Sequence, residues 1–189
     1  MQHAITGLQI VDEQSATGDI ANLYDNIRRG MEIPFVPNIF KGPTASPRIA
    51  EGLWEAFAKI VAQTSLPASL SAMIGYSVSA ANGCNYCNSL HKVSCRTLGV
   101  DEDTLNALGD DLGALTPERI QEIIAFAVKV GTDPQLLEKA DYDRVREQGV
   151  SDEEIVEIVT LASWSTFADR MADAFKLDLD DAFKEALQA

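Results

Sequence analysis

The chain has little that does proton or redox chemistry at neutral pH: among 189 residues there are two histidines and three cysteines. His3 stands near the N-terminus, where chains are usually poorly ordered. The other four (Cys84, Cys87, His91 and Cys95) all fall within Ser79–Leu98. Basic residues are also scarce, 15 against 29 acidic, and the formal net charge is −14. So acidic a surface offers no basic patch for phosphate backbones or anionic lipid, which argues against nucleic acid and membrane as partners. No apolar run is long enough to span a bilayer. Residues 1–14 lack the basic-then-apolar order of a signal peptide, so cytoplasm is the default location. An odd number of cysteines does not make a secreted disulfide framework. Low-complexity tracts and flexible linkers are missing as well. With 46% apolar residues, the chain reads as one globular domain with enough length to bury a core.

What is present is helical periodicity, and the predicted fold class is all-α. Residues 17–29 read as a helix with Thr17 as cap and Ile20, Leu23, Tyr24 and Ile27 on one face. Ile33–Asn38 contains two prolines and reads as extended, and residues 41–44 continue as loop. Ser46-Pro47 opens a helix predicted to bury Ile49, Leu53, Phe57 and Ile60. A helix over 69–82 places Leu70, Met73, Ile74, Ser77, Val78 and Ala81 on one side, and Asn82-Gly83 ends it. The next runs from about Cys84 to Leu98, with Gly99 as its stop. Shorter helices follow at 101–108, 117–131 and 142–148. Ser151 to Glu154 form a capping box for a long helix through Leu161, Trp164, Ala168, Met171 and Phe175. A terminal helix begins at Asp180. Three parts are expected within the single domain: an N-terminal helical extension (1–63), a core around the cysteine pair (64–110) and C-terminal helices (116–189).

On a helix, Cys84, Cys87, His91 and Cys95 are three, four and four residues apart and share one stripe. Cys84 and Cys87 sit one turn apart at the helix start, close enough for a disulfide. Free N–H groups and the helix dipole favour a thiolate there. His91, one turn further, is placed to take a thiol proton and return it to a leaving group. Cys95 lies deep in the helix and reads as core packing. A four-ligand metal site on this stripe is ruled out by length, because Cys84 and Cys95 are roughly 16 Å apart at about 1.5 Å per residue; only a site completed from elsewhere in the chain would be open. No metal ligand set and no cofactor site are assigned from the sequence. Asn88 after Cys87 excludes covalent haem attachment, and the lack of a βαβ pattern excludes a thioredoxin.

Asn82-Gly83-Cys84-Asn85-Tyr86-Cys87-Asn88-Ser89-Leu90-His91, following an apolar helix, resembles the signature of the AhpD-like alkylhydroperoxidases in the carboxymuconolactone decarboxylase superfamily. Pro34–Phe40 and Thr166–Phe175 resemble the peroxidase-related branch, so the likeness spans roughly residues 16–178. The resemblance implies an all-helical homo-oligomer, a trimer or hexamer. It implies that Cys87 attacks a hydroperoxide, that Cys84 resolves the sulfenic acid to a disulfide, and that His91 serves the proton relay. A dithiol or lipoyl-type protein would be the reductant. The family's relay glutamate position is occupied by Ala72, and Glu154, Glu157 and Tyr76 are the replacements considered. Tyr86 stands where relatives often carry a histidine and reads first as a half-buried helix aromatic.

Three functions follow: a thiol peroxidase or disulfide oxidoreductase on Cys84, Cys87 and His91, acting on organic hydroperoxides; a decarboxylating lyase, against which the cysteine pair counts; and a non-enzymatic redox sensor. The peroxidase reading is the expectation carried forward.

Overall fold

The computed structural model describes residues 4–188, so His3 lies outside the described residues. Ten helices and no strand are found among them. These are α1 (Gly18–Met31), α2 (Asn38–Lys41), α3 (Pro47–Ile60), α4 (Ala68–Asn82), α5 (Asn85–Thr97), α6 (Glu102–Asp110), α7 (Glu118–Thr132), α8 (Lys139–Glu147), α9 (Asp152–Phe175) and α10 (Asp181–Gln188). Short 3₁₀ turns include Gly42–Ala45.

The fold is built around α4. Its residues from Ala72 to Ser79 are all buried, so it has no solvent face along its middle, and the one-sided pattern predicted for it is corrected accordingly. α5, α9 and α7 pack around it. The main core joins Ile74 and Val78 of α4 to Ile123 and Ile124 of α7, and to Ile158 and Leu161 of α9. A second cluster binds α1, α2 and α3 through Ile20, Tyr24, Ile27, Phe40 and Leu53, and rests on Trp164 and Met171 of α9.

The apolar face of α1 is buried as its spacing predicts. The capping box of α9 is formed in both directions, Glu154 N–H to Ser151 Oγ at 3.2 Å and Ser151 N–H to Glu154 Oε2 at 2.7 Å. Thr17 and Ser46 stand at helix starts, but neither side chain accepts a capping hydrogen bond. In α3, Ala50 and Leu53 are buried, whereas Ile49 and Ile60 are exposed at 44% and 39%; α3 lies at the surface and buries a narrower stripe than predicted. α8 begins three residues before Tyr142, because Glu138 and Asp141 cap it reciprocally. The loop predicted at 41–44 is instead the end of α2 and a 3₁₀ turn, and Asn38, predicted as extended, opens α2. The Asn38 N–H at its head is accepted by the carboxylate of Asp180 at 3.0 Å, 142 residues away, a cap visible only in three dimensions.

No described helix is long and apolar enough to cross a membrane.

Candidate active site

Asn82-Gly83 breaks the chain between α4 and α5 as the sequence predicts. Gly83 adopts a left-handed conformation (φ 73°), and its N–H bonds back to Ala80 and Ser79. That conformation strains any residue with a side chain. The reversal delivers Cys84 to the N-cap of α5, where its sulfur accepts the Cys87 N–H at 3.4 Å. Both cysteines are free thiols and almost sealed from solvent, at 1% and 4% exposure. Ile39, Leu177 and Leu179 pack against this cluster.

A carboxylate completes the site. Asp169 on α9 is 2% exposed. One of its oxygens lies within 4.8 Å of both the Cys84 and Cys87 sulfurs, which are equally close to each other. Ser79 Oγ donates to Asp169 Oδ1 at 2.7 Å and Asn82 Nδ2 donates to Oδ2 at 2.9 Å. α4 thus aims the α9 carboxylate at the head of α5. The residues considered as substitutes for the family glutamate are elsewhere. Glu154 is engaged with Ser151 and with Arg119. Glu157 accepts from Ser65. The Tyr76 hydroxyl lies against Gly109 of α6. Ala72 lines the cavity described below, so the position is near the site but offers no acid. The signal for Asp169 lies in the spacing of α9. Ile155, Ile158, Ala162, Ser165, Asp169 and Ala172 are spaced three or four apart on the buried stripe of α9, and a carboxylate in such a stripe has a local task.

The electrostatics depart from the helix-dipole expectation. The Cys87 thiol is pushed up, not down, by its hydrogen bond with Cys84, by burial, and by the nearby Cys84 sulfur and Asp169 carboxylate. Proton removal from Cys87 therefore needs a base. His91 is lowered to about 4, because burial disfavours the imidazolium more than Asp169 favours it, and so it is neutral at pH 7. Its ring lies flat against the α4 backbone at Gly75, where a β-carbon would come within 2.5 Å of it. Cys95 is in the main core, apart from the pair, with its thiol raised to about 12 by burial.

Tyr86 is a helix aromatic, but it is buried rather than half-buried, and its hydroxyl is used. It donates to Asp180 Oδ2 at 2.8 Å and accepts from the Ile39 N–H at 3.1 Å. Burial and the Asp180 charge hold its phenol well above the ordinary range.

Cys87 and His91 open onto a cavity of about 230 Å³ between α2, α3, α4, α5 and α9. Phe40, Phe57, Trp164 and Met171 form much of its apolar wall, and no charged side chain lines it among the described residues. Phe57 meets Phe40 edge-on at 5.4 Å and Trp164 at 6.2 Å. Cys84 does not reach the cavity; the arrangement presents one thiol to a bound molecule and keeps the second behind it.

Residues 47–111 match the carboxymuconolactone decarboxylase family. No curated protein matches the sequence. The structure resembles an uncharacterized peroxidase-related protein with an alkylhydroperoxidase AhpD core from Ralstonia eutropha (23% identity, TM-score 0.82, 96% of this chain and 95% of that one). It also resembles a peroxidase-related protein from Silicibacter sp. (19%, 0.77, 95% and 97%). A third similar structure is a variant of the debrominase Bmp8 in complex with 2,3,4-tribromopyrrole (21%, 0.81, 98% and 97%). The matched segment carries a likeness to that family, and the solved structures share the all-helical fold.

Proposed function

We propose that the protein is a dithiol oxidoreductase that reduces neutral, apolar hydroperoxides. One observation carries the reading: two buried thiols and a carboxylate lie within 4.8 Å of one another, and of the thiols only Cys87 faces the apolar cavity. Asp169 or neutral His91 takes the Cys87 proton. The Cys87 sulfur attacks the distal peroxide oxygen, the O–O bond breaks, and the returned proton completes an alcohol. Cys84 then attacks the Cys87 sulfenic acid, forming the disulfide and releasing water. One hydroperoxide and two thiols thus become one alcohol, one disulfide and one water. A dithiol, a lipoyl-type protein among the candidates, restores the pair. The cavity position of Cys87 supports the assignment of attacker over its partner at the helix N-cap.

The test is a thiol count by mass spectrometry before and after one equivalent of an organic hydroperoxide. A Cys84–Cys87 disulfide is expected, with Cys95 free and with peroxide consumption abolished in Cys87→Ser. Peroxide turnover that survives in Cys87→Ser would defeat the proposal.

The aromatic cavity wall also favours a second reading. The same dithiol can supply two electrons to a halogenated ring, replacing the carbon–halogen bond by carbon–hydrogen, with release of halide and a proton. The debrominase among the similar structures motivates it. Bromide release from a bromopyrrole, without hydroperoxide consumption, would select it.

A further inference from the structure

The reduced site gathers three anion-forming groups on two helices: the sulfurs of Cys84 and Cys87 at the head of α5, and a carboxylate oxygen of Asp169 on α9. All are buried and within 4.8 Å of one another. Length rules out four ligands on the α5 stripe alone, but α9 supplies one from outside it. Among the described residues no cationic side chain pairs with Asp169; its oxygens rest on two neutral donors, Ser79 and Asn82. Asp169 is 2% exposed, and the groups that its free side faces are the two sulfurs.

We propose that, when reduced, the protein binds one zinc-like divalent cation through Cys84, Cys87 and Asp169, and that disulfide formation expels it. The donor set suits a borderline-soft ion. Bonds of about 2.3 Å to sulfur and about 2.1 Å to oxygen put tetrahedral ligand atoms roughly 3.5–3.8 Å apart, inside the observed limit. Ser79 and Asn82 orient the carboxylate as outer-shell partners do, and a fourth position stays open. On binding, the two thiols release two protons and the sulfurs donate lone pairs; no electron is transferred. A disulfide has no thiolate to offer, so cation and disulfide exclude each other. The bound cation would hold the pair reduced and silent until it is removed. The site uses the residues of the proposed redox reaction, but its occupancy is measured without turnover.

Co²⁺ is the probe. The full chain, reduced and chelator-stripped, is titrated anaerobically. One equivalent should produce thiolate-to-cobalt charge-transfer bands and intense four-coordinate d–d bands, and Zn²⁺ should displace it. The bands should vanish in Cys84→Ser and Cys87→Ser, persist in Cys95→Ala, and require at least about tenfold more metal in Asp169→Asn. Circular dichroism checks the fold of each variant. Absence of bands in folded protein with both thiols reduced overturns the proposal. So does their survival in Cys87→Ser, or unchanged affinity in Asp169→Asn. Failure of the metal site with hydroperoxide still closing the disulfide overturns only this inference. Cobalt binding without disulfide formation overturns only the redox reading.

Discussion

A β-carbon on Gly75 would lie 2.5 Å from Cε1 and 2.6 Å from Nε2 of His91, distances that no packed side chain tolerates. The glycine is therefore what lets the imidazole rest on α4 and reach the cavity. In an ordinary helix, glycine to alanine adds about 1 kcal/mol of stability; here the ring must move instead. Gly75→Ala should retain full helicity by circular dichroism yet lose hydroperoxide turnover by about tenfold or more, because a displaced base forfeits much of the proton-transfer contribution. Undiminished turnover would show that the ring position is immaterial. Asp169 makes the complementary point at the same scale. One carboxylate, fixed by two neutral donors, adds its charge to the surroundings of both Cys87 and His91.

At the scale of elements, the site depends on a clasp between segments far apart in sequence. The stretch after α9 carries Leu177 and Leu179 against the cysteine cluster. Asp180 then fastens it, accepting from the Tyr86 hydroxyl and from the Asn38 N–H. Phe183 of α10 meets Phe35 edge-on at 5.4 Å. Tyr86→Phe keeps the ring and deletes one hydroxyl, leaving both the Asp180 carboxylate and the Ile39 N–H short of a partner. Unfolding by urea should show a loss of about 1–3 kcal/mol. A bulky maleimide should modify Cys84 faster than in the parent, since the cover over that sulfur loosens. An unchanged modification rate would mean that the leucines alone keep Cys84 closed.

At the scale of the molecule, burial of His91 ties global stability to pH. Its proton affinity is near 4 when folded and about 6.5 in an unfolded chain. Between those values the unfolded chain takes up a proton that the folded chain refuses, so stability falls as the pH falls. Above pH 6.5 both states are neutral there and the contribution is complete. Asp141, held near 2 by hydrogen bonds from Lys129 and the Glu138 N–H, acts below this window. Urea midpoints at pH 7.5 and pH 5 should therefore fall less in His91→Gln than in the parent; an equal fall would place the acid sensitivity elsewhere.

The all-helical class, the buried face of α1, the Ser151–Glu154 cap, the break at Asn82-Gly83 and the one-turn spacing of Cys84, Cys87 and His91 are legible in local sequence. Each rests on neighbours within a turn or two, where backbone geometry fixes which side chains meet. The rest comes from long-range packing. It brought Asp169 from α9 to the cysteines, lent Asp180 to the head of α2, and left Ile49 and Ile60 in solvent. It turned Cys87 and not Cys84 toward the cavity. It also raised the Cys87 thiol where the helix dipole alone would have lowered it, because the contact with Cys84 and burial oppose ionisation and the Asp169 carboxylate, brought from another helix, adds to them.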